Sequence, residues 1–114
     1  MPRAVTPLEC APRATDAVAA GRIGWLLGLR ENARFRSNVG VVNIGAAEAD
    51  VRIRLFVEGG VAVGNPRTVS VPARGWVQVD RVLSTLGAGQ RALAYAPVEP
   101  VTAGALVWAY ASVV

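Results

Sequence analysis

At 114 residues the chain has the length of one domain, and folding at that size buries roughly two-thirds of the surface exposed by the unfolded chain, which allows one core and not two. A hydrophobic share of 53% against 18% charged residues excludes a disordered polar tail, and it leaves so little charge for the outside that some apolar surface is expected to meet a partner. The net charge of +4 rests on 12 basic residues, all arginine, which lie scattered from Arg3 to Arg91 with acids between them; a phosphate-tracking face needs clustered charge, so the pattern argues against nucleic acid as a ligand.

Residues 1–21, with Pro2, Pro7 and Pro12 among Ala, Thr and Arg, have no sustained period and read as an extended, poorly ordered leader. A single domain is expected over 22–114. The run Ile23 to Leu29, bounded by glycines, suits a first strand, and Val39, Val41, Val42 and Ile44 suit a second. The clearest signal follows: Val51, Ile53, Leu55 and Val57 alternate with Arg52 and Arg54, the mark of a strand with one buried and one wet face. Glu58-Gly59-Gly60 is a hairpin turn, after which Val61 to Gly64 returns until Asn65-Pro66 interrupts it. Thr68 to Val71 and Trp76 to Val79 alternate again around the turn Pro72-Ala73-Arg74-Gly75.

Asp80 is placed to cap one helical turn over Arg81 to Leu86, which Gly87-Ala88-Gly89 stops. Ala92 to Val98 and Ala105 to Val113 then form a last, hairpin-like pair. Strands this short, with turn signals every 8 to 12 residues or so, imply an all-β, antiparallel, immunoglobulin-like sandwich of about seven strands with one short helical turn. The chain ends in an apolar strand, Ala105 to Val114, without Lys or Pro to guard it, and this edge is expected to take up another strand or a second copy of the chain.

Three segments carry a resemblance. Arg34-Phe35-Arg36-Ser37-Asn38-Val39-Gly40-Val41-Val42-Asn43 is similar to the RFRTNVGLVN-like strand that opens an uncharacterised β-sandwich module of bacterial secreted proteins. Pro72 to Val79 resembles that module's PPGGWVQ turn and strand, and Val107 to Val114 resembles its VWAYASVVDNRTGDP ending, cut before the polar part. The resemblance implies a sandwich fold and an extracellular or cell-surface location. No signal peptide is visible, since Glu9, Arg13 and Asp16 interrupt any apolar stretch near the start, and a cytoplasmic location stays open on the residues alone.

Chemistry is excluded more readily than assigned. Histidine is absent, which removes the commonest general base and the commonest metal ligand; no catalytic residue, metal site or cofactor is expected. The carboxylates Glu31, Glu48, Asp50, Glu58, Asp80 and Glu99 fall at turns and strand ends, where solvated charges ordinarily sit, and no serine lies in a nucleophile elbow. Cys10, the one cysteine, cannot form an intrachain disulfide. No run reaches the ~18 to 20 apolar residues of a membrane helix.

The aromatic residues Trp25, Trp76, Tyr95, Trp108 and Tyr110 remain. Trp76, Trp108 and Tyr110 are the candidate binding residues, with Arg52 and Arg54 as flanking groups on a wet strand face. Against that stands core packing of Trp108 and Tyr110, because Ala109 and Ala111 look too small to form the core-facing side of their strand. The expected role is a non-catalytic structural or interaction module that contacts a protein partner or neighbouring domain. The alternatives are a carbohydrate-binding accessory domain using exposed aromatics, and an assembly subunit that adds strands through its leader or last strand.

Overall fold

The computed structural model describes residues 17–114. The elements are β1 (Val18–Ala19), β2 (Gly24–Glu31), β3 (Ser37–Asn43), β4 (Ala49–Val57), β5 (Val61–Val71), β6 (Trp76–Val79), α1 (Val82–Thr85), β7 (Arg91–Pro100) and β8 (Leu106–Val113). The strands form two four-stranded antiparallel sheets, ordered β1-β8-β3-β6 and β2-β7-β4-β5. This is the all-β sandwich that the alternating segments imply.

The core is a single cluster fed by both sheets. Val39, Val41, Val79 and Val107 come from the first, and Leu29, Val51, Ile53, Leu55, Val71, Ala94, Ala96 and Val98 from the second. β4 follows its pattern: Val51, Ile53 and Leu55 are buried, Val57 packs against the cluster, Arg52 is exposed and Arg54 is half-buried. α1 seals the cluster with Val82, Leu83 and the following Leu86, all buried. The β4–β5 turn uses Gly59 and Gly60 at φ 87° and 76°, where a side chain would be strained.

Several expectations need correction. Of the leader expected over residues 1–21, residues 1–16 with Cys10 lie outside the described residues, and in its last part Val18 and Ala19 pair with Val107 and Leu106. Asn65-Pro66 does not split a strand. β5 runs unbroken over 11 residues and absorbs Gly64 to Pro66 as a bulge, since Leu55 pairs with Val63 while Ile53 pairs with Arg67. β7 and β8 are not a hairpin pair. The turn after Pro100 carries the chain across the sandwich, so that β7 pairs with β2 and β4 while β8 pairs with β1 and β3.

The cap of α1 also differs. Arg81, at φ 48°, holds the N-cap position without a side-chain cap, and the Asp80 carboxylate accepts from Gln78 Nε2 instead. The orphan donors are met from other elements: Asn38 Oδ1 accepts the Arg81 amide at 3.0 Å, and the Glu31 carboxylate accepts from both the amide and the hydroxyl of Ser84.

Nor is β8 a free strand. It pairs with β3 over its whole length, from Ser37↔Val113 to Asn43↔Val107. The mutual bonds between Arg36 and Val114, and the bond from Ile44 N to Leu106 O, show that even-numbered residues turn their peptide groups to β3. Those of Ala109, Ala111 and Val113 point the other way, past the end of β1. Among the described residues no strand pairs with them there.

Candidate functional site

The outer faces of the two sheets each carry an aromatic group. On the first sheet, β3 lies between β8 and β6, and its Gly40 is opposite both Tyr110 and Gln78 while Val42 is opposite both Trp108 and Trp76. A Cβ on Gly40 would fall inside the Tyr110 ring, so the absent side chain is what lets tyrosine lie across β3 and reach the next strand. Its hydroxyl accepts from Trp76 Nε1 at 2.7 Å and donates to Gln78 Oε1 at 2.9 Å. Trp108 leans on Tyr110, with ring centroids 5.6 Å apart and planes at 32°.

The three aromatic candidates read from the sequence thus meet in one place, and not in the core. Ala109 and Ala111 face inward and pack against the core cluster, small as they are, because Tyr110 and Trp108 occupy the other parity of the strand. Trp76 remains 54% exposed. The polar handle of the group is used within the protein, which makes it a strap across three strands.

On the second sheet, Trp25 of β2, Tyr95 of β7 and Phe56 of β4 form a row across neighbouring strands. Trp25 lies opposite the buried Pro97 and 6.1 Å from Tyr95; Tyr95 stacks on Phe56 at 5.7 Å and 18°. The Arg54 guanidinium stands 5.6 Å from the Phe56 ring centre, a cation–π distance. Leu27 and Leu93 flank the row, 72% and 60% exposed. Leu27 stands out because β2 bulges at Leu27-Gly28 between the pairs Leu26↔Ala96 and Leu29↔Ala94, with Gly28 at φ 76°.

Of the two candidate arginines, Arg54 therefore joins this second row and not the Trp76–Tyr110–Trp108 group, from which the sandwich separates it. Arg52 lies on the same outer face opposite Thr68 and Glu99. Phe56 was not singled out from the sequence, although it shares the parity of Arg52 and Arg54, and that parity was the available signal.

The polar residues of the 34–43 segment are structural. Ser37 Oγ accepts the Arg30 amide and donates to the Arg30 carbonyl, both at 2.8 Å. Asn43 Nδ2 donates to the carbonyls of Ala47 and Val71, and its Oδ1 accepts the Gly45 amide. Glu31, although buried beside a serine hydroxyl, is engaged in holding α1. Among the described residues no three metal-ligating side chains gather, and no helix is long and apolar enough to cross a membrane.

No protein-family model matches the chain, and neither does any curated protein. Among solved structures it is similar to one described as "Anabaena sensory rhodopsin transducer", at 16% identity and a TM-score of 0.59, covering 81% of this chain and 92% of that one. At such identity the likeness concerns the fold, and it places this arrangement of strands among known all-β architectures.

Proposed function

We propose that this domain is a non-catalytic interaction module that binds a protein partner, or a neighbouring domain, through the outer face of the β2-β7-β4-β5 sheet. The observation that carries the reading is the contiguous row Trp25–Tyr95–Phe56 with Leu27 and Leu93 beside it. Single exposed apolar residues are ordinary, whereas a contiguous set on a sheet face, bordered by Arg52 and Arg54, has the composition of an interface centre with a polar rim. A secreted bacterial setting, as the motif resemblance implies, suits a module of this kind. A photo-crosslinking residue at Leu27 or Leu93, placed in the native cell, should yield one defined adduct, and the same residue at the exposed turn position Arg74 should not. Adducts of equal yield at all three positions, or none, would sink the proposal.

A second reading, self-association through β8, is favoured by the outward peptide groups of Ala109, Ala111 and Val113 on an edge without charge or proline. Sedimentation over a concentration series tests it: a strictly monomeric species at high micromolar concentration defeats it. The carbohydrate reading has less to stand on, because Trp108 and Tyr110 are tilted and the tyrosine hydroxyl is engaged with Trp76 and Gln78.

A further inference from the structure

Arginines that are scattered in the sequence meet at one end of the sandwich. Arg34, Arg36 and Arg81 line a surface pocket of about 80 Å³ together with Asn32, Phe35 and Val114. The pairing of Arg36 with Val114, and of the Arg81 amide with Asn38 at the start of β3, is what brings these segments together. Arg30 stands beside them, its guanidinium 4.0 Å from the Phe35 ring centre. The loop is held in shape by Asn32, whose Oδ1 accepts the amides of Arg34 and Phe35 at 2.8 and 2.9 Å.

Among the described residues no aspartate or glutamate lines the pocket. The acid nearest in sequence to the loop, Glu31, is turned inside to hold Ser84, and the carboxylate of Asp80 is bonded to Gln78. Arg81 also adopts a left-handed backbone, φ 48° and ψ 55°, which glycine accepts freely and arginine does not. The backbone there is held by the bond from the Arg81 amide to Asn38 Oδ1, which fixes where the arginine side chain starts. Three arginines thus share one pocket with no acidic side chain among its described lining, a setting that a bound anion suits, and guanidinium forks match the geometry of phosphate oxygens.

We propose that this pocket binds a phosphate group, held by the guanidiniums of Arg34, Arg36 and Arg81. The chemistry is shared by free phosphate and by a phosphorylated side chain of a partner, and the site stands independently of the sheet-face reading.

The test is an amide-resolved NMR titration of the full chain with inorganic phosphate, with chloride at matched ionic strength as control, because screening alone shifts exposed arginines. The expected result is a saturable, millimolar response confined to Asn32–Arg36 and Arg81. Arg81→Gly should weaken it about tenfold, the scale of one charge-assisted hydrogen bond, while the melting temperature without phosphate stays level or rises. Arg36→Gln should weaken it similarly. A phosphoserine peptide that binds tighter than free phosphate, with its unphosphorylated form silent, identifies a modified partner as the source; equal affinities identify the free ion.

A response that does not saturate, that spreads evenly over all exposed arginines, or that survives Arg81→Gly would overturn the proposal.

Discussion

The two outer faces of the sandwich use the same kind of residue for different ends. On the β3 side, Tyr110 crosses a glycine and ties Trp76 and Gln78 to its own strand through its hydroxyl. On the β7 side, Trp25, Tyr95 and Phe56 touch only through their rings, and the row is fringed by leucines that lie mostly in water. Aromatic residues on a sheet face therefore do not by themselves mark a binding surface. What separates strap from contact surface is where the polar atoms go and how much apolar area is left outside once they are satisfied.

The sharpest test of the frame on which both faces stand is Ile53→Ala. Ile53 is fully buried, so the change should cost ~2 to 5 kcal/mol, while Arg52→Ala on the wet side should stay within about 0.5 kcal/mol. Equal shifts of the urea midpoint would move the β4 register by one residue and put both faces on the wrong sides.

Next in size, Gly40→Ala should cost about 1 to 3 kcal/mol, because the new methyl displaces the Tyr110 ring; the emission of Trp76 and Trp108 should shift with it. Glycine to alanine at a strand position would otherwise be mildly favourable, so an unchanged or raised stability would show that the tyrosine does not lie across β3.

Smaller still is the contrast between the two tyrosines. Tyr110→Phe removes a hydroxyl that joins two side chains and should cost about 0.5 to 1.5 kcal/mol, at the low end because the group is partly wet. Tyr95→Phe should be silent within about 0.5 kcal/mol, since Tyr95 meets Trp25 and Phe56 through its ring, which phenylalanine keeps. If denaturant midpoints showed equal losses, the distinction between the faces would collapse. The smallest stability effect is expected of Leu27→Ser, which should leave the midpoint unmoved within about 0.5 kcal/mol and still abolish the crosslink obtained from Leu93.

The sequence made some of this plain and concealed the rest for identifiable reasons. β4 and β6 were legible because one face of each is wet and the alternation is visible. The sheet assignment of β7 and β8 was not, because a short turn between two apolar strands looks the same whether it closes a hairpin or crosses a sandwich. Asn65-Pro66 looked like a strand end since a bulge and a break use the same residues. Trp76, Trp108 and Tyr110 were recognisable as a set, but Gly40 looked like an ordinary strand glycine until its neighbours were known. The arginine pocket was hidden most completely: scattered positions imply dispersed charge, and only the pairing of Arg36 with Val114 and of Arg81 with Asn38 collects them.

The register of β3 has a consequence during synthesis. β3 sits at the middle of its sheet, but one of its two neighbours is β8, and Ser37 waits for Val113. While the intervening residues are being made, the edge later covered by β8 is open, and Val39 and Val41 lack the inward-facing Ala109 and Ala111 beside them. Sheet closure of this kind joins segments far apart in the chain, which makes folding slow and leaves nascent chains exposed to aggregation or chaperone capture. Ribosome-bound chains stopped before Leu106 should therefore be protease-sensitive along β3, and protection should arrive abruptly once β8 has emerged.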